Sequence, residues 1–274
     1  MAVRLHIPAD LKDGCNSIRI AEFAKGEQIG FCIERLKQGD THETKLAKAE
    51  SAIVVLGGTC TVKCGDTTFE HVGQRANVFA GKASAVYVPP SVPQEIIAET
   101  DCEVAICATP ATVEAEPQLV TPDQVRVKSA GQWNWRRDVQ DIIYENVPAE
   151  QLLVGETYNP PGNWSSYPPH KHDVENLPHE VKLEEIYHFR VNPPQGFGIQ
   201  RIYSAEGDLD ETYVLRDGDT VIIPKGYHPV VAAPGYQLYY LWMLAGPTRL
   251  MRPADDPAHE WVKAEEALLR EVSP

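Results

Sequence analysis

The chain has 274 residues, 43% hydrophobic and 23% charged, a length that fits one large domain or two modest ones and a composition that excludes a disordered chain. Its formal net charge of −14 repels phosphate backbones and argues against nucleic acid as a partner. No apolar run approaches the ~20 residues that span a bilayer, and the N-terminal MAVRLHIPADLKDG lacks the apolar core of a secretion signal, so the expectation is a cytoplasmic protein without membrane contact.

Read along the chain, the pattern is mostly β. Residues 51–56 (SAIVVL) end in Gly57-Gly58, 85–88 (AVYV) in Pro89-Pro90, and 103–108 (EVAICA) in Thr109-Pro110. Short Val/Ile/Tyr/Phe runs between Gly, Pro and Asp punctuation are strand signals. A Pro/Glu/Thr-rich stretch begins at Thr109, and residues 131–147 read as a connector. The second half returns to strands at 185–191 (EIYHFRV), 197–203, 212–215, 220–223 and 236–243. The helical stripe Trp261, Ala264, Ala267, Leu268 and Leu269 predicts a C-terminal helix over 257–272, with a weaker helical signal at 122–126. The resulting division is an N-terminal unit at 1–120, a connector at 121–150, a second unit at 151–250 and a helical segment at 251–274. Glu50 followed by an apolar strand parallels Glu185, and Gly81…Pro89-Pro90 parallels Gly218…Pro224, which suggests an internal duplication. The cysteines (Cys15, Cys32, Cys60, Cys64, Cys102 and Cys107) are expected to be reduced thiols, and Cys60 and Cys64 are expected to be small apolar fillers without function.

The stretch that carries chemistry is Tyr167-P-P-His170-K-His172-D. Strand alternation points His170 and His172 to one face, where two neutral imidazoles make a pair of metal ligands. Alone, such a pair is more often two surface histidines. Downstream, Glu185 opens an apolar strand, and Gly218-x5-Pro224-x-Gly226-x-His228 places a histidine behind a Pro-Gly turn. These features resemble the two motifs of the cupin superfamily, in which three histidines and a glutamate converge on a metal inside a small β-barrel. Carried over by position, the ligands of one divalent metal are His170, His172, Glu185 and His228. This donor set takes zinc first, with manganese or iron next and nickel open. Two departures stand out. The polar insert at 173–184 lengthens the gap before Glu185 and suggests a lid over the barrel mouth, and only Tyr227 separates Gly226 from His228. The insert also offers Glu175, His179, Glu180 and Glu184 as rival ligands. Parity favours Glu185 over Glu184, because Tyr187, Phe189 and Val191 share its face, whereas Glu184 would bring His188 and Arg190 inward. The first half has Glu50 but only His42 before it and no histidine after Pro89-Pro90, so it is expected to keep the fold without a metal.

Five blocks carry a closer resemblance: YNPPGNWSSYPPHKHD (158–173), EEIYHFR (184–190), PQGFGIQRIY (194–203), GDTVIIPKGYHP (218–229) and YYLWMLAG (239–246). They resemble the bicupin uronate isomerases, a family of two double-stranded β-helix (jelly-roll) barrels. The resemblance implies conversion of 5-deoxy-D-glucuronate to 5-dehydro-2-deoxy-D-gluconate in myo-inositol catabolism, with a divalent metal stabilising an enediolate and hydrogen moving by proton transfer or hydride shift. Tyr187 is a candidate base because it shares parity with Glu185, although a barrel-lining aromatic is its commoner role. Arg201 is the candidate partner for the substrate carboxylate, with Lys225 and Arg216 as alternatives. Trp164, Tyr240 and Trp242 are candidate sugar-pocket aromatics. An iron-dependent dioxygenase and a non-catalytic sugar-acid-binding bicupin are the competing classes. By analogy with bicupins, a homo-oligomer is expected.

Overall fold

Runs such as SAIVVL and YYLWML are apolar at successive positions, which requires strands buried on both faces. The computed structural model, which describes residues 5–9, 14–19 and 29–272, shows how this is achieved. In the N-terminal half a six-stranded sheet runs in the order Gln118–Val120, Ser84–Val88, Ala49–Gly57, Cys102–Pro110, Gly30–Leu36, Gly14–Arg19. It closes against a four-stranded sheet of Thr41–Lys45, Pro93–Ala98, Cys60–Cys64 and Thr67–Val72. The C-terminal half repeats the plan. Its seven-stranded sheet runs His6–Ile7, Thr220–Ile223, Glu184–Asn192, Gln237–Ala245, Leu152–Asn159, Arg137–Ile143, Arg126–Ala130. Its four-stranded partner is Trp164–Ser165, Val230–Ala232, Gly198–Tyr203 and Asp210–Leu215. The chain is a mainly-β bicupin.

Alternation divides each long strand between two cores. On Glu184–Asn192, Tyr187, Phe189 and Val191 fill the C-terminal barrel with Ile223, Tyr240, Trp242 and Leu244. Ile186 faces the other way, into a core shared with Leu241, Met243 and the N-terminal Phe31, Val54 and Ala105. Ile53, Val55, Val62, Val86 and Val104 fill the N-terminal barrel. The two large sheets therefore pack back to back, and a middle core joins the barrels. Two buried polar clusters lie in that joint. Arg75 forks onto Glu156 at 2.5 and 3.0 Å, and Glu156 also accepts the Tyr239 hydroxyl at 2.8 Å. Glu50 accepts the Tyr87 hydroxyl at 2.8 Å and the backbone N–H groups of Glu150, Gln151 and Leu152 at 2.7–2.9 Å.

Residues 121–150 do more than connect, since Arg126–Ala130 and Arg137–Ile143 form a hairpin that extends the seven-stranded sheet. His6–Ile7 crosses over to pair with Thr220–Ile223. The weak signal at 122–126 is a 3-10 turn at Pro122–Gln124, and the C-terminal helix is Trp261–Val272. Cys60, Cys64, Cys102 and Cys107 are free and buried, but Cys32 is disulfide-bonded, contrary to the expectation of reduced thiols throughout.

Candidate metal centre

Each histidine is aimed by a local backbone feature. His170 sits on the two-residue strand His170–Lys171, pinned by Ala254–Asp255, and His172 follows it. His172 donates from Nδ1 to the Leu183 carbonyl at 2.8 Å. His228 likewise donates from Nδ1 to the Gly226 carbonyl at 2.9 Å. Gly226 has φ +89°, and a Cβ there would lie 2.6 Å from the Tyr203 carbonyl oxygen, so the turn admits only glycine. Its N–H donates to Asp173 at 2.8 Å, tying the turn to the end of the histidine strand. Because both Nδ1 atoms donate to backbone, both Nε2 atoms face inward as lone-pair donors.

Those atoms meet at Glu185, whose Oε2 lies 3.1 Å from His172 Nε2 and 3.2 Å from His228 Nε2. The ligand atoms of His172, Glu185 and His228 all lie within 4.8 Å of one another. The His170 ring stands edge-on to His228 with centroids 4.9 Å apart, and 6.3 Å from His172. His172, Glu185 and His228 are 3–4% exposed or less, and His228 Nε2 has no hydrogen-bond partner. Buried acceptors facing one another at these distances suit a cation between them, and two nitrogens and an oxygen are the donors a divalent transition ion takes. Burial pushes the His228 imidazole down to about 4. Burial and the neighbouring imidazoles hold His170 well below the usual range, in the neutral form that ligates.

A cavity of about 180 Å³ opens beside this centre. Tyr187, Tyr240 and Trp242 wall it from the barrel, and Lys128 and Arg137 wall it from the edge hairpin. The Tyr187 hydroxyl is 3.0 Å from Ser166 Oγ, and its ring is 5.9 Å from that of His228. Burial, and then Glu185, raise the Tyr187 phenol well above its ordinary range, so it is a hydroxyl that donates rather than a ready base.

Glu185 faces the barrel, as alternation predicts. The rivals in the insert are engaged elsewhere. Glu180 binds Lys171 at 2.9 Å and caps the N–H groups of Asp173 and Val174, Glu175 accepts from Lys182 N and Thr248, and His179 is exposed. No insert residue is on the cavity wall, so the insert, tied to Lys171, Thr248 and the Gly226 turn, does not form the lid suggested by its polarity. The candidate carboxylate partners lie away from this cavity. Arg201 is exposed, paired through two nitrogens with Asp210 at 2.8 Å and stacked over Tyr203, because Gln200 and Ile202 take the inward positions of its strand. Lys225 is half-buried and paired with Asp208 at 2.6 Å, and Arg216 is exposed. Trp164 stacks on Tyr167 outside the wall, whereas Tyr240 and Trp242 line it. Lys128 and Arg137 were the residues missed, and the alternation Arg137, Val139, Asp141 was their signal.

The N-terminal barrel resolves the Glu50 parallel. Glu185 pairs with Ile223, which precedes Pro224, whereas Ser51 pairs with Val88, which precedes Pro89. Ser51, not Glu50, therefore occupies the position equivalent to Glu185, and it hydrogen-bonds Gln94 at 3.1 Å inside the barrel. Glu50 is one residue out of register and faces the joint between barrels.

The sequence matches the KduI/IolB family over residues 9–262. The 5-deoxy-glucuronate isomerase of Geobacillus thermodenitrificans (strain NG80-2) is 43% identical over 249 residues, covering 90% of this chain and 91% of that protein. The same-named protein of Bacillus subtilis (strain 168) is 41% identical over 236 residues, with 85% and 87% covered. An IolB-like protein from Salmonella typhimurium LT2 superposes with a TM-score of 0.92 at 36% identity, over 95% of this chain and 99% of that one. The Lactobacillus farciminis oxalate decarboxylase superposes at 0.65 with 14% identity, covering 99% and 94%, a likeness of fold alone.

Proposed function

The chain belongs to the KduI/IolB family, and from that membership we propose that it is an aldose–ketose isomerase converting 5-deoxy-D-glucuronate to 5-dehydro-2-deoxy-D-gluconate. The near-full-length likeness to 5-deoxy-glucuronate isomerases carries this reading, because it spans the imidazole centre and both cavity walls together. His170, His172, Glu185 and His228 would hold a divalent ion, with zinc the first candidate and manganese or iron next. When bound, such an ion supplies a Lewis acid toward carbonyl and hydroxyl oxygens.

The chain's own residues do the rest. Ser166 braces the Tyr187 hydroxyl at the cavity, where it donates a hydrogen bond to a sugar oxygen and steadies the chain through the C2-to-C1 hydrogen transfer. Tyr240 and Trp242 present apolar faces that exclude water from the reacting carbons. The test is anaerobic incubation of metal-loaded protein with 5-deoxy-D-glucuronate, following the ketose. Product forms without oxygen. No turnover with any divalent metal would sink the isomerase reading, and oxygen-dependent consumption would mark a dioxygenase.

We also place the reaction in the cytoplasm and expect a homo-oligomer; a monomer by light scattering would overturn the second. No helix among the described residues is long and apolar enough to cross a membrane.

A further inference from the structure

The cavity wall holds a guanidinium with no described carboxylate in ion-pair contact, Glu266 acting on it only at longer range. From it we infer that Arg137 binds the carboxylate of an open-chain uronate whose other end reaches the imidazole centre. Naming the ligand a uronate rests on the isomerase reading; the carboxylate site itself does not.

Arg137 opens the strand Arg137–Ile143, and Arg137, Val139 and Asp141 share the face that lines the cavity with His170, His172 and Glu185. Its Nη1 donates to the Tyr167 carbonyl at 3.1 Å and the Trp135 carbonyl at 3.3 Å. Those bonds anchor one corner of the fork. Nε and Nη2 make no hydrogen bond to a described residue and no described carboxylate is within ion-pair distance. The loop is shaped around this side chain. Gly131 has φ +75°, and a Cβ there would lie 2.2 Å from the Trp135 oxygen and 2.9 Å from Arg137 Nη1.

The other cation of the wall is already neutralised, since Lys128 Nζ sits 3.0 Å from both oxygens of Asp141. A half-buried guanidinium with no carboxylate in contact is incompletely compensated, and its free edge matches a carboxylate through two parallel N–H bonds. Burial lowers its pKa, and its charge is felt at His170. Cation and imidazole centre thus face one cavity. An aldehyde acid carries its charge at the end opposite its reacting carbons, so one ligand engages both. Arg201 and Lys225 offer no such edge, being already paired with Asp210 and Asp208.

The test compares wild type, Arg137→Lys and Arg137→Met on 5-deoxy-D-glucuronate and on 5-deoxy-D-glucose, in which CH₂OH replaces the carboxylate. In Arg137→Met, KM for the uronate is expected to rise about 100-fold, the size of losing one partner of a desolvated charge pair. Turnover of the neutral sugar falls far less, metal content stays at the wild-type level, and Arg137→Lys recovers part of the loss. A folded, metal-loaded Arg137→Met that keeps the wild-type preference for the uronate overturns the proposal. Should that variant not fold, Arg137→Lys with unchanged KM does the same. If wild type turns over neither sugar, the isomerase reading fails on its own, and calorimetric titration with D-glucuronate and D-glucose decides the site. Preference for the acid that Arg137→Met abolishes supports the carboxylate site; equal binding of both sugars by wild type, or an unchanged preference in Arg137→Met, overturns it.

Discussion

Glu184 and Glu185 are adjacent carboxylates, and the pleat of their strand sends only the second to the imidazoles. Replacing Glu185 by Gln removes an anionic donor, and metal affinity should fall at least ~10-fold. Glu184→Gln should retain the full complement by elemental analysis; equal losses would refute the parity argument. His188, on the opposite face, is fully buried against Phe31, with Nδ1 3.0 Å from Thr220 Oγ and Nε2 unpartnered. Burial pushes its imidazole down to about 4, against about 6.5 in an unfolded chain. In that interval the unfolded chain binds the proton and the folded one does not. Stability from a neutral His188 is therefore complete above about pH 6.5 and drains as pH falls toward about 4. Subtracting the stability curve of His188→Asn from that of wild type should leave a slope of up to ~1.4 kcal/mol per pH unit in this window. Parallel curves would show that His188 does not titrate on unfolding.

The edge hairpin of Arg126–Ala130 and Arg137–Ile143 illustrates how one element carries both fold and site. Its outer strand extends the seven-stranded sheet, and its turn wraps Arg137. Gly131→Ala forces a side chain into the left-handed region, at a cost of ~1–2 kcal/mol, and against the Trp135 carbonyl. The melting temperature should fall and KM for the uronate should rise together, because the displaced carbonyl also anchors the guanidinium. Wild-type values for both would mean that the turn has room that its backbone does not indicate. The insert at 173–184 is the converse case: its polar residues satisfy Lys171, the local backbone and Thr248, and they leave the cavity alone.

Across the whole molecule, two barrels of one plan share a middle core, and among the described residues only the C-terminal barrel gathers two imidazoles on one carboxylate. The joint is locked by Arg75 on Glu156, both almost wholly buried. Removing one member strands the other charge, so Arg75→Met should destabilise by ~3–5 kcal/mol. Arg75→Met with Glu156→Gln should lose less than the sum of the single changes, since the amide oxygen still accepts from Tyr239 and the amide NH2 can donate to the Tyr158 hydroxyl, which itself donates to the Val78 carbonyl, without burying a charge. Strict additivity in denaturant unfolding would mean that the pair does not couple the barrels.

Local pattern alone determined strands such as Glu184–Asn192 and Gln237–Ala245, the H-x-H pair, the choice of Glu185 and the Gly-Pro-Gly turn before His228. Each depends on alternation or on a backbone angle, and both act between near neighbours in the chain. The bicupin fold and the isomerase family were legible in the same way, through blocks built around those turns. Only the tertiary structure decided which cation faces the cavity. Arg201 and Arg137 both have an aromatic or aliphatic residue two positions away on either side, and what separates them is which face of which sheet turns toward the barrel mouth. It also decided that Ser51, not Glu50, answers to Glu185. A one-residue slip reverses a side chain's face, and cross-strand register is set by partners that lie dozens of residues away.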